Sequence, residues 1–197
     1  MKVAALYIDP RGPYPKLLGP EMCWDEARDA RTYAGPWPVV AHPPCGAWGK
    51  LRHLYEGSDR DCAPIAIEQV RRFGGVLEHP AGSELWRIYQ LPPPDVLMSD
   101  GFGFSFEVDQ CAWGHVARKR TWLYVAHVPR TTVTAGIRFG GTPTHWLSGG
   151  RTSSSRKGSP VPPGIKVCSA QQRRRTPTAF AEWLISLAAQ AGKERAA

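Results

Sequence analysis

Short apolar runs, each closed by a turn signal, set the rhythm of the chain. Residues 3–8, VAALYI, are apolar throughout and stop at Asp9-Pro10-Arg11-Gly12-Pro13, the pattern of a buried parallel strand ended by a turn. A second run, Pro38 to His42, is bounded by Pro36 and Pro38 on one side and by Pro43-Pro44 on the other. Proline cannot donate to a sheet ladder, so the strand must end there. GGVLEHP predicts a third strand, again stopped by proline. Before it, PIAIEQVRRF sets Ile67, Val70 and Phe73 at helical spacing, with Asp61 or Ser58 as cap, Pro64 near the first turn and Gly74-Gly75 as the stop. The order strand, helix, strand predicts an α/β fold with a mostly parallel, Rossmann-like sheet.

Other segments extend this frame. MCWDEARDARTY, residues 22–33, reads as a short helix, and so do residues 84–90. FGFSFEVDQCAWG alternates as a strand does, and RKRTWLYVAHV supplies another with no helix between them, which predicts an antiparallel pair at one side of the sheet. From Thr131 to Arg175 Gly, Ser, Thr, Pro and Arg dominate, most heavily in GGRTSSSRKGSP, a composition suited to a basic loop or small lobe that orders on DNA. TPTAFAEWLISLAAQAG then puts Phe180, Trp183, Leu184, Leu187 and Ala191 on one helical face. The expected division is a core over 1–130, a basic segment over 131–175, and a helix over 176–197 that packs back on the core.

Charge and cysteine usage narrow the function. Across 197 residues, 25 Lys and Arg against 17 Asp and Glu leave a net charge of +8, which favours a polyanionic partner. Cys23, Cys45, Cys62, Cys111 and Cys168 are odd in number and irregular in spacing. They suggest neither a disulfide framework nor a zinc motif, and a reduced, cytoplasmic setting is expected. The opening MKVAALYIDP is too short for a signal peptide, and no stretch is apolar enough to enter a membrane.

The reactive candidates all fall at strand ends: Cys45 after HPP, Glu78 in VLEHPAGS, and Arg118-Lys119-Arg120 after WGHVA. In an open parallel sheet such ends converge and carry the chemistry. Taken in order, Pro44-Cys45, then Glu78-His79-Pro80, then Gly114 with Arg118-Lys119-Arg120 leading into TWLY, this series resembles the motifs of the DNA (cytosine-5)-methyltransferases over residues 35–127. The chain departs from the family pattern at Gly46, where Gln is usual, and at His79, where Asn is usual. Its first strand is followed closely by the cysteine, so a short, divergent, phage-type member with a reduced cofactor half is implied.

The resemblance implies that Cys45 adds to C6 of cytosine, that Glu78 binds N3, and that Arg118 or Arg120 stabilises O2 and activates the thiol. It further implies S-adenosylmethionine as donor, held by Asp9, Gly12, Asp29, Pro43 and Pro44, with a folate-borne one-carbon unit as the alternative. DNA phosphates would meet Lys119, Arg138, Arg151, Arg156, Lys157, Arg173, Arg174 and Arg175, while Trp48, Trp113 and Trp146 serve packing or base stacking. Two rival readings are a DNA-binding relic without catalysis and a metal site built from His42, Cys45, His79, Cys111 and His115. The latter matches no standard zinc spacing, so no metal is expected.

Overall fold

The computed structural model describes residues 2–147, 161 and 163–194. Its centre is a six-stranded sheet ordered β2-β1-β3-β4-β6-β5. The strands are β1 (Ala4–Leu6), β2 (Cys23–Trp24), β3 (Val39–Ala41), β4 (Gly75–Pro80), β5 (Gly103–Asp109) and β6 (Arg120–Ala126). The first four run parallel, and β6 runs against both β4 and β5, between which it lies. The chain is therefore α/β with a mostly parallel sheet and an antiparallel pair at one side, compatible with a Rossmann-like arrangement.

The period-two alternation of the strands builds two cores. Ala5, Val40, Val76, Leu123 and Val125 point to the face covered by the long helix α6 (Thr178–Glu194), which presents Phe180, Trp183, Leu184, Leu187 and Ala191. Ala4, Leu6, Val39, Ala41, Leu77, Tyr124 and Ala126 point the other way, onto α2 (Cys62–Phe73) with its buried Ala66, Ile67, Val70 and Phe73. The short helices α1 (Tyr14–Leu18) and α3 (Glu84–Ile88) follow β1 and β4, and the side chain of Ser83 caps α3 by accepting the Leu85 N–H.

The expected helix over 22–33 is not formed. Cys23 and Trp24 instead pair with Ala5 and Leu6 as the edge strand β2. Beyond them the aspartates compete with helical bonding: Asp25 accepts the Arg28 N–H and Asp29, at φ 43°, caps a single 3-10 turn by accepting the Arg31 N–H. The segment after residue 130 is also more regular than its composition predicts. It holds α4 (Arg130–Gly136), a parallel two-stranded pair of β7 (His145–Trp146) and β8 (Lys166–Val167), and α5 (Ala170–Arg174), which opens with a Ser169/Gln172 capping box. Among the described residues no helix is long and apolar enough to cross a membrane.

Gly75 shows how tightly β3 and β4 are fitted. At φ +120° it sits opposite Val39, and a Cβ there would collide with the Val39 carbonyl. Substituting Gly75→Ala should destabilise the fold by about 3 kcal/mol, from combined overpacking and backbone strain; an unchanged thermal midpoint would refute this account of the strand pairing.

Candidate active site

The parallel pairing of β3 and β4 carries the chain out of the sheet at one edge, where His42, Pro43, Pro44 and Cys45 follow β3 and Glu78 stands near the end of β4. Because β6 is antiparallel, its beginning, Lys119-Arg120-Thr121, arrives at the same edge, and β5 ends there in Asp109 and Gln110. Four chain segments thus surround one carboxylate.

Glu78 is buried and fully engaged. His42 Nδ1 lies 3.0 Å from Oε2, and Gln110 Nε2 donates to Oε1 at 3.0 Å and to Thr121 Oγ1 at 2.9 Å. On the far side of the imidazole, Tyr14 Oη lies 2.6 Å from His42 Nε2. Burial alone would raise the Glu78 pKa, but the His42 hydrogen bond and the positive charge of Lys119 outweigh it and hold the carboxyl at about 2. Glu78 is an anion in the resting protein.

Cys45 is exposed at the mouth of this cluster. The protein packed around the thiol limits its hydration, and this, with the Glu78 charge, raises its pKa; Lys119 and Arg174 pull it down by less. The resting pair is therefore a thiol beside a carboxylate, where the sequence led us to expect a cation-activated thiolate.

The basic triplet divides by parity. Thr121, Leu123 and Val125 share the Glu78 face, so Arg120 points to the opposite face, where it pairs with Glu107. Arg118 is turned toward Asp109, with 3.6 Å between charged atoms. Lys119, read from the sequence as a phosphate contact, is the member of the triplet whose charge acts on both Glu78 and Cys45. Asp109 Oδ1 accepts the Lys119 N–H at 3.0 Å and fixes that residue's backbone.

Arg174 also comes to the site, its charge felt by Asp9 and Cys45. Its helix α5 is tied to the core by His115, whose Nε2 lies 3.0 Å from the Gln172 carbonyl. Arg173 is on the same helix, and Arg175 follows it and borders a cavity of about 300 Å³ with His115, Gln172 and Thr178. Arg138 is exposed, whereas Arg151, Arg156 and Lys157 lie outside the described residues. Trp48 and Trp113 are core residues, Trp113 stacking on Trp183 at 4.6 Å, and Trp146 is half-buried in β7.

Of the residues expected to hold a cofactor, Asp9 and Gly12 follow β1, Asp29 follows β2, and Pro43 and Pro44 follow β3. Asp9 and Asp29 are each bound by the arginine two residues on, Arg11 and Arg31. Pro43 and Pro44 form the turn that presents Cys45. Among the described residues no group of three or more His, Cys, Asp or Glu could hold a metal ion; His115 bonds backbone carbonyls and His79 lies buried beside Trp86 on the opposite face from Glu78.

No family model, curated protein or solved structure matches this chain. The reading of the site therefore stands on its geometry. Tyr14, Gln110 and Thr121 escaped the sequence reading as functional residues, and His42 entered it only as a member of the rival metal site.

Two buried groups give the site an acid sensitivity of known sign. His79 is fully buried, neither ring nitrogen has a hydrogen-bond partner among the described residues, and burial pushes its pKa from 6.5 down to about 4. Between those values the unfolded chain binds the proton more readily, so its stabilising contribution is complete above pH 6.5 and is lost as pH falls toward 4. Glu78 follows lower down, its contribution present above 4.5 and lost as pH falls toward 2. Denaturant titrations should show His79→Leu removing the first acid loss and Glu78→Gln the second; parallel pH profiles for all three proteins would contradict both assignments.

Proposed function

We propose that the protein is a DNA-modifying transferase that acts at C5 of cytosine through covalent addition of Cys45 to C6. The observation that carries this reading is the emergence of Cys45 and Glu78 at the ends of the adjacent parallel strands β3 and β4, where the charge of the carboxylate helps to raise the pKa of the thiol. The mostly parallel sheet with its antiparallel pair is of the kind a methyltransferase-like fold would have. The resemblance of the three motifs, in order along the chain, points the same way.

The chemistry follows from the ring. C5 of cytosine is a poor nucleophile until a sulfur adds at C6, which turns C5 into the carbon end of an enamine. Negative charge then develops at N3 and O2. In this reading Glu78 accepts from the exocyclic amine and exchanges a proton with N3. Lys119 takes the O2-stabilising role that the resemblance assigns to an arginine, since Arg120 lies on the other face of the sheet. A cytosine within a duplex must be turned out of the stack to reach Cys45, and Arg173, Arg174 and Arg175 supply positive charge for the flanking phosphates.

The donor half is less developed. The turn after β1 is DPRGP, α1 is five residues long, and the acidic side chains of Asp9 and Asp29 are taken by arginines. These residues do not form the glycine-rich turn and free ribose-binding carboxylate that S-adenosylmethionine requires. S-adenosylmethionine and a folate are the two donors to supply.

Nucleosides from DNA of cells expressing the wild-type protein should contain a modified deoxycytidine that is absent with Cys45→Ala, and its mass increment names the transferred group. Identical profiles for wild type, Cys45→Ala and empty vector would remove catalysis on cellular DNA and leave a DNA-binding module.

A further inference from the structure

Glu78 is the last member of a chain of side chains that begins inside the core. Tyr14 is 2% exposed and its hydroxyl meets His42 Nε2 at 2.6 Å; His42 Nδ1 meets Glu78 Oε2 at 3.0 Å. Burial and the Glu78 charge keep the proton on the Tyr14 phenol, and its hydroxyl has no other hydrogen-bond partner among the described residues, so the phenol donates and Nε2 accepts. Nδ1 then carries the imidazole proton and donates to Glu78. With Gln110 donating to the other oxygen, the carboxylate receives an N–H on each side.

A carboxylate held in this state cannot give a proton to N3 of a pyrimidine; it must first receive one. The chain from Tyr14 cannot supply it, because that would leave a buried phenolate. The other groups whose charge acts on Glu78 are Lys119, His42 and His79, and the charges of Glu78, Lys119 and Arg174 act in turn on Cys45. Of these only the thiol must lose its proton for the proposed reaction to start.

We infer that Tyr14 and His42 are positioning residues that fix Glu78 as a proton acceptor, so that the thiol of Cys45 is itself the source of the proton taken up by the cytosine ring. The inference rests on the C5 chemistry proposed above. In the step, the S–H bond breaks as the S–C6 bond forms, the proton passes to Glu78 and from there to N3, and the C5–C6 π electrons are redistributed into the enamine. Nothing is oxidised or reduced, and no co-reactant is needed.

The test reads addition at C6 without a one-carbon donor, since an enamine exchanges its C5 hydrogen with water. Single-stranded and duplex DNA carrying [5-³H]deoxycytidine would be incubated with the protein from pH 3 to 9 and tritium release measured. A neutral thiol beside an ionised acceptor gives a level rate over the middle of this range. A preformed thiolate gives a rate that climbs about tenfold per pH unit up to the thiol pKa. We expect the level profile for wild type, no release for Cys45→Ala, and the climbing profile for Glu78→Gln, which lacks the acceptor. His42→Ala should move the acid end of the plateau up by about one to two pH units. His42→Asn, whose amide can replace the Nδ1–H, should restore it, and Tyr14→Phe should shift it in the same direction as His42→Ala. Circular dichroism of each variant at every pH of the profile separates these shifts from acid loss of fold.

A climbing wild-type profile with Cys45→Ala inactive would overturn this inference and leave the C5 chemistry standing. A plateau that His42→Ala and Tyr14→Phe both leave in place would overturn the positioning role. Absence of release by the wild-type protein on either DNA would overturn the inference together with the reading on which it rests.

Discussion

The register of β3 on β4 is the constraint from which the site follows. Val39 opposite Gly75 and Ala41 opposite Leu77 leave no room for slippage, because Gly75 has no side chain to hold off the Val39 carbonyl. Shifting either strand by one residue would exchange the two faces of the sheet. Glu78 would turn toward α2, and the imidazole of His42 would lose the carboxylate. A pairing of a few apolar residues thus decides the ionisation state of a group beyond its end.

The same alternation separates the two sides of the site chemically. On the α6 side, polar side chains end the strands, and each finds a partner: Tyr14 with His42, His42 with Glu78, Glu78 with Gln110. On the α2 side the strand ends are aromatic, with His79 close to Trp86, and Trp86 against Trp122. The first side supports the Glu78 charge and the second opposes one on His79, so adjacent residues of one strand have pKa values displaced in the same direction for different reasons: Glu78 by its partners, His79 by burial.

Much of this frame was legible in the sequence, because proline-closed apolar runs and a capped amphipathic helix are local signals. β1, β3, β4, α2 and α6 were anticipated, as was the antiparallel pair of β5 and β6. What escaped depended on distant partners. Cys23 and Trp24 become a strand only through their pairing with β1, and nothing local says that β6 enters between β4 and β5. The site divides likewise. Cys45 and Glu78 are marked by their turns, but Lys119 differs from Arg120 only by which face of the sheet it meets, and Tyr14 and Gln110 join Glu78 from 64 and 32 residues away.

The position of β6 also orders the events of synthesis. β4 is the edge of a half-built sheet until residues 120–126 have left the ribosome, since β5 attaches to β6 and not to β4. Until then the nascent chain carries Cys45 and Glu78 without Gln110, Thr121 or Lys119, and β4 has an open hydrogen-bonding edge. Maturation of the site is consequently a late, non-local event, slower than formation of the first strands and their helix. The vulnerable interval for this protein is the one between translation of β4 and translation of β6, when an unpaired strand of mostly buried character waits for its neighbour.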